Sequence, residues 1–325
     1  MKRMRRMAAA LAAAAAIGAV PRARAGERFA AQNGQEPAWP HATWATAASN
    51  IQEAVNAAAV NDTVWVGAGR YVAPPTPSNY FGPSVVVLDK SLTLRASNGA
   101  PDSVILDGGG AYRGVTISNA VKYNTNLFVL DGLTISNCYA TNFGGGLFVY
   151  HVLAGVYVIT TVVQNCTITD NTASNSGGGV YMRCSESDLT LSNCVIRNNL
   201  ATNSDATQPA YIGGGAVWAY GRLLVTDSIV HGNRRGAVDT DINSGGGALY
   251  LHGLNAKQYT VRNSLLYGNA DSSDRAGAIY MWPENNVDPS RAVLNLIHAT
   301  IVDNTAASSS AGGIQTRYPN VTVTV

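Results

Sequence analysis

Glycine doublets and triplets return along this chain about every 33 residues, and self-similarity at such a period constrains it to a stack of equivalent supersecondary units. The copies are Gly144-Gly145-Gly146, Gly177-Gly178-Gly179, Gly213-Gly214-Gly215, Gly245-Gly246-Gly247, a degenerate Ala276-Gly277 and Gly312-Gly313. Aligned on their last members, Gly146, Gly179, Gly215, Gly247, Gly277 and Gly313, they are separated by 33, 36, 32, 30 and 36 residues.

A short apolar strand precedes each glycine run: LDGLTISNC, VQNCTITDN, LSNCVIRNN, VTDSIVHGN, VRNSLLYGN and LIHATIVDN. Superposed on their ends, these segments share a large aliphatic residue at Ile135, Ile168, Ile196, Val230, Leu266 and Ile301. Two positions earlier stand Leu133, Cys166, Cys194, Ser228, Ser264 and Ala299, mostly small. This period-two alternation turns one face of a strand inward. A second strand follows each glycine run: LFVY, VYMR, AVWAY, ALYLH, AIYMW and IQTR. Helical spacing is absent from all six units, which removes the helical repeat classes and leaves an all-β chain that coils around an axis with its strands in parallel register.

Five of the six segments end on asparagine, at Asn171, Asn199, Asn233, Asn269 and Asn304, with Cys138 at the first. Two structural readings fit. Stacked amides can donate and accept along a ladder, or asparagine can supply the left-handed backbone that a corner requires. Neither makes these residues catalytic.

The pairing of an aliphatic-x-x-Asn strand with a Gly-Gly-small-aliphatic strand, as in Ile168 to Asn171 followed by Gly178-Gly179-Val180-Tyr181, resembles the repeats of polymorphic outer membrane proteins and related bacterial right-handed parallel β-helix, or pectate-lyase-like, surface proteins. The resemblance covers residues 127–325 and implies a right-handed parallel β-helix, a single-stranded solenoid.

The amino-terminal part reads differently. Residues 1–25 have the form of a secretory signal: a basic start at Lys2, Arg3, Arg5 and Arg6, an apolar stretch from Ala8 to Val20, and Ala23-Arg24-Ala25 for cleavage. That segment holds six of the 22 Lys and Arg and none of the 20 acids, so the mature chain carries a net charge of −4. Nucleic acid thereby loses its electrostatic support as a partner. Residues 26–43 read as a linker and 44–126 as an amino-terminal cap with the first rungs. Within them, Ser49 and Gln52 suggest a capping box for a short helix bearing Ile51, Val55 and Ala58 on one face, a cover for the open first rung.

Cys166 and Cys194 share one inward position, which favours reduced core thiols over disulfides, and no metal-ligand spacing is present. Enzymes with the resembled architecture usually act on acidic polysaccharides through carboxylates, Ca²⁺ and an Arg or Lys. The polygalacturonase and pectate lyase signatures are absent. What remains is a loose acidic cluster, Asp239 and Asp241 in one loop with Asp271 and Asp274 in the corresponding loop of the next rung, near Arg234 and Arg275. It reads either as a solvated polar loop or as a Ca²⁺ or acid–base site.

Trp218, Tyr250 and Tyr280 recur three residues past the aligned glycine, with Tyr220 and Trp282 nearby. Facing solvent, they would form a platform for sugar rings or a partner's apolar patch; facing inward, a core stack. The expectation is core for two of the three. The functional expectation is an exported, non-enzymatic, adhesin-like protein at the cell or outer-membrane surface that binds a carbohydrate or a surface protein, with no obligate cofactor. The alternative is a polysaccharide lyase or glycoside hydrolase using the loop carboxylates. Residues 321–325, VTVTV, match the first strand of a further rung, so a fragment of a longer chain, or self-association through an uncapped last rung, is expected.

Overall fold

The computed structural model describes residues 25–72, 82–118, 125–150, 158–184, 186–202, 212–236, 244–253, 257–272, 275–283, 292–307, 311–317 and 321–325. The signal sequence expected at 1–25 falls outside them, apart from its last residue. Among the described residues, strands form four sheets of ten, eight, six and eight strands, all paired in parallel with the turns before and after. The fold is a right-handed parallel β-helix.

One turn shows the plan. Val158–Gln164 lies in the first sheet, Thr167–Thr169 in the second, Thr172–Ala173 in the third and Val180–Arg183 in the fourth, and Asp188–Ser192 re-enters the first. Alternation makes each inner face a column of aliphatic side chains. Leu130, Val163, Leu191, Val225 and Val261 stack in the first sheet, Ile135, Ile168, Ile196, Val230 and Leu266 in the second, and Leu147, Val180, Val217, Leu249 and Ile279 in the fourth. All belong to one continuous buried core.

Two corners bound each three-residue strand of the second sheet. The first corner is Gly132, Asn165, Asn193, Asp227, Asn263 or His298, and the second Asn137, Asp170, Asn198, Gly232, Gly268 or Asp303, all with φ between 46° and 70°. Asn and Asp tolerate this left-handed geometry because their short polar side chains bond locally. The ladder asparagines sit one residue later and face inward, so of the two readings of these residues the amide ladder is the one realised. Asn199 Oδ1 accepts from Asn171 N at 3.1 Å and Asn171 Nδ2 at 2.9 Å. The second Nδ2 hydrogen of Asn171 goes back to Ile135 O at 3.0 Å. The same three bonds link Asn199 to Asn233, Asn233 to Asn269 and Asn269 to Asn304, while Cys138 N opens the series on Asn171 Oδ1.

A second inward ladder runs through the small column. Cys194 N donates to Ser228 Oγ at 3.0 Å and Ser228 N to Ser264 Oγ at 3.1 Å, while each hydroxyl or thiol turns back to the carbonyl two residues before it. All four cysteines are buried and none is in a disulfide. Burial pushes the Cys138 thiol up to about 12 and the Cys194 thiol up to about 11, which keeps them protonated and unreactive.

Register corrects the glycine alignment by one residue. Val180 pairs with Val217, so Gly177, Gly178 and Gly179 lie beside Gly214, Gly215 and Ala216. The left-handed glycines are Gly144, Gly177, Gly214 and Gly246, whereas Gly146, Gly179, Gly215, Gly247 and Gly277 are not left-handed. These five are small for a different reason: a Cβ there would lie 2.3–2.7 Å from a backbone oxygen of a neighbouring rung. A Cβ on Gly313, beside the last rung, would meet nothing.

Two further expectations at the amino end are corrected. Glu27–Ala30, placed in the linker, is already a strand, paired with Thr63–Val66. The helix, α1, spans Ile51–Ala57 and is capped by Asn50, whose Oδ1 accepts from Glu53 N at 2.9 Å, so the cap lies one residue beyond Ser49. Gln52 serves the sheet edge instead. Its amide donates to Val87 O and accepts from Val87 N at 2.8 Å, completing the outer strand Ser84–Leu88 as a neighbouring strand would. At the other end the inward Ala299, Ile301, Ile314 and Val321 are only partly buried.

Candidate functional site: the outer face of the fourth sheet

Connections around each turn are unequal, and the inequality singles out one face. From Gln164 to Thr167 and from Thr169 to Thr172 two residues suffice, and the same holds on every glycine-bearing turn. Into the fourth sheet the connection varies from six residues, between Ala173 and Val180, to fifteen, between Ala201 and Val217. Out of it, two to eight residues follow, as between Ala219 and Arg222 or between Pro283 and Ala292. Variable loops on a regular scaffold are where binding residues concentrate, and here they border the fourth sheet on both sides.

The outer face of that sheet carries two columns. The first is Phe148, Tyr181, Trp218, Tyr250 and Tyr280, in register on five successive turns. Neighbouring rings lie 4.5–5.8 Å apart, with interplanar angles of 7–19° until Tyr250 and Tyr280 tilt to 49°. Trp218, Tyr250 and Tyr280 thus do share one position, but they belong neither to the bore core nor to a solvent platform. They form a second apolar cluster outside the coil, and Tyr250 and Tyr280 are wholly buried. Backbone covers them closely: a Cβ on Gly213 would stand 2.6 Å from Tyr250, and one on Gly245 2.7 Å from Tyr280. Arg113 closes the amino end of the stack, its guanidinium 4.5 Å from the Phe148 ring and bonded to Phe143 O, Gly144 O and Asn142 Oδ1. Burial pushes its pKa down to about 10.

The second column is Tyr150, Arg183, Tyr220, His252 and Trp282. Tyr150 and Tyr220 are half-buried and Arg183 is exposed, whereas His252 and Trp282 are closed over at 4% and 5% exposure. His252 stacks between Tyr220 at 4.8 Å and Trp282 at 4.7 Å. Burial, and then the charge of Arg183, push its pKa down to about 3, so the imidazole is neutral. The face therefore opens to solvent at Tyr150, Arg183 and Tyr220 over a sealed aromatic floor. Rings and one cation of this kind can hold flat, apolar-faced ligands bearing polar edges.

Of the acidic cluster, Asp271 alone is among the described residues. Asp271 lies in the strand Ala270–Asp271, not in a loop, and its Oδ1 is 3.0 Å from Arg235 Nη1, with both side chains fully buried. Arg235 is the cation, while Arg234 beside it is exposed. The pair occupies a column that elsewhere holds Ala140, Ala173, Ala201 and Ala306. Asp239, Asp241 and Asp274 lie outside the described residues. Among the described residues no group of three or more His, Cys, Asp or Glu side chains is placed to hold a metal ion, and no helix is long and apolar enough to cross a membrane.

The model of a family described as right handed beta helix region matches residues 95–317. A solved structure described as that of pectate lyase Pel9A is similar at a TM-score of 0.47 and 13% identity, over 87% of this chain and 78% of that one, a likeness too distant to speak to activity. None of the curated proteins matches the chain.

Proposed function

We propose, from the premise that this chain belongs to the right-handed β-helix family, that it is an exported, adhesin-like scaffold whose fourth sheet binds a glycan or a surface partner along its outer face. Export follows from the basic, apolar and Ala-Arg-Ala segments of residues 1–25. One observation carries the binding reading: exposed Arg183 and half-buried Tyr150 and Tyr220 lie over an aromatic floor, between the two loop edges that vary from turn to turn. A rigid sheet places these rings without loss of side-chain entropy on binding, which favours recognition over conformational change. The loop edges then tune the ligand while the ladders keep the frame unchanged.

The test is retention of the full secreted chain on a glycan panel and on intact cells. The wild-type chain is expected to be retained, and the Tyr150→Ala/Tyr220→Ala variant, checked as folded by its circular dichroism, to be released. Failure to bind any panel member or cell, or steady release of unsaturated or reducing ends from a polysaccharide, would overturn the reading in favour of no surface role or of an enzyme.

A further inference from the structure

Two Asn-Gly pairs occur in the chain, Asn33-Gly34 and Asn98-Gly99, and both lie exposed toward the amino end. Glycine has no Cβ to shield its backbone nitrogen, so in each pair that nitrogen can reach the side-chain amide carbon before it. The fold treats the two pairs differently. Asn98 Oδ1 accepts from Ala100 N at 3.1 Å and from Ser103 Oγ at 2.6 Å, and Gly99 N donates to Ala96 O at 3.2 Å. Gly99 is also packed from the next turn, where a Cβ on Gly132 would stand 3.0 Å from its carbonyl. Asn33 and Gly34, by contrast, make no hydrogen bond to any described residue. Their neighbours are the anchored ones, Gln32 Nε2 donating to Arg70 O and Gln35 Nε2 to Ala31 O. Gly34 is left-handed at φ 84°, with nothing within 4 Å of where a Cβ would stand.

We propose that Asn33-Gly34 is a self-modification site, at which Asn33 exchanges its amide for a carboxylate, while Asn98 is held as the amide. Gly34 N attacks Asn33 Cγ and gives its proton to solvent. The N–Cγ bond forms as the Cγ–Nδ2 bond breaks, and Nδ2 leaves as ammonia. Water then opens the cyclic imide at either carbonyl. Cleavage of N–Cγ leaves an aspartyl side chain, and cleavage at the Asn33 carbonyl carbon leaves an isoaspartyl link that carries the main chain through Cγ. Asn98 is slower because two donors hold its Oδ1 and the Gly99 N–H is engaged, so these bonds must open before the ring can close. Either product adds one negative charge to a groove of about 490 Å³, which Asn33 lines with Gln32, Trp44 and Ser97. The isoaspartyl product also lengthens the bend that follows the strand Glu27–Ala30.

The folded chain is incubated at mildly alkaline pH, and its tryptic peptides Phe29–Arg70 and Ala96–Arg113, each with one Asn-Gly pair, are followed by mass spectrometry. Fragment ions locate the gain of about 1 Da that marks loss of an amide. Asn33 is expected to convert about tenfold or more faster than Asn98, which is the effect of two or three hydrogen bonds on one of the pairs. The two rates are expected to converge in the guanidinium-unfolded chain, where those bonds are gone. Gly34→Ala is expected to slow conversion at Asn33 about tenfold, by hindering the attacking nitrogen. Equal rates at Asn33 and Asn98 in the folded chain overturn the proposal, as does an Asn33 amide that persists while the unfolded chain converts. A rate at Asn33 that Gly34→Ala leaves unmoved overturns the cyclic route.

Discussion

The inner asparagine ladder and the outer aromatic columns are both one-per-turn stacks, yet they obey opposite rules. Inside, one residue type repeats because each amide must accept from the turn before and donate to the turn after, and any other side chain would leave a buried partner bare. Outside, Phe, Tyr, Trp, His and Arg exchange freely because a ring stack asks only for a flat face at strand spacing. Strict identity marks the frame, and tolerated variety marks the surface available for recognition.

Mid-ladder substitution should separate the two stacks most sharply. Asn199→Ala removes four hydrogen bonds and strands Asn171 N and the Ile168 carbonyl, and is expected to cost about 3–5 kcal/mol in urea unfolding. Asn304→Ala, at the half-buried end, should cost about a third of that. Equal costs at the two positions would show that the ladder does not act through burial.

Arg235→Ala comes next, because it removes one member of a fully buried ion pair; about 3 kcal/mol of destabilisation is expected. The Arg235→Ala/Asp271→Ala double variant, which restores the alanine column of the other turns, should recover the larger part. Failure to recover would mean that the pair holds more than itself in place.

The outer columns predict an acid effect. His252 binds a proton at its ordinary pKa when unfolded but only near pH 3 when folded, so the unfolded chain takes up more protons between these values. Stability is whole above about pH 6.5 and falls by at most about 1.4 kcal/mol per pH unit below it. His252→Phe should flatten that slope in pH-dependent unfolding. Smallest of all, Cys194→Ser should change stability by less than about 1 kcal/mol, since Ser228 and Ser264 already make the same bonds on the next turns. A larger loss would assign the sulfur a role of its own.

Much of the frame was legible because each rung repeats its chemistry: the aliphatic columns at Ile168 and Ile196, the strand ends and the amide ladder all follow from period two and from tandem copies. The surface was less legible, for a definable reason. Glycine and alanine are interchangeable where backbones nearly touch, so aligning last glycines slipped the register by one at Ala216. That slip put Val149 and Met182 where Phe148 and Tyr181 belong and hid two members of the aromatic column. Counting four residues from the left-handed glycine, Gly144, Gly177, Gly214 or Gly246, finds Phe148, Tyr181, Trp218 and Tyr250. The Arg235–Asp271 pair was equally visible as opposite charges two residues past consecutive ladder asparagines. Reading Asp271 as a loop acid obscured it.

The amide ladder also has a direction. Every Asn oxygen accepts from the turn before it, and from Asn171 to Asn269 the backbone N–H and one amide hydrogen donate to the turn after, while the other amide hydrogen returns to a carbonyl of the turn before. Gain or loss of one whole turn therefore rejoins donor to acceptor with nothing orphaned, whereas a partial turn breaks the chain of bonds and shifts every outer column against its neighbours. The molecule is thus built to change length in quanta, and a lineage that needed a longer binding face could obtain one by duplicating a single turn.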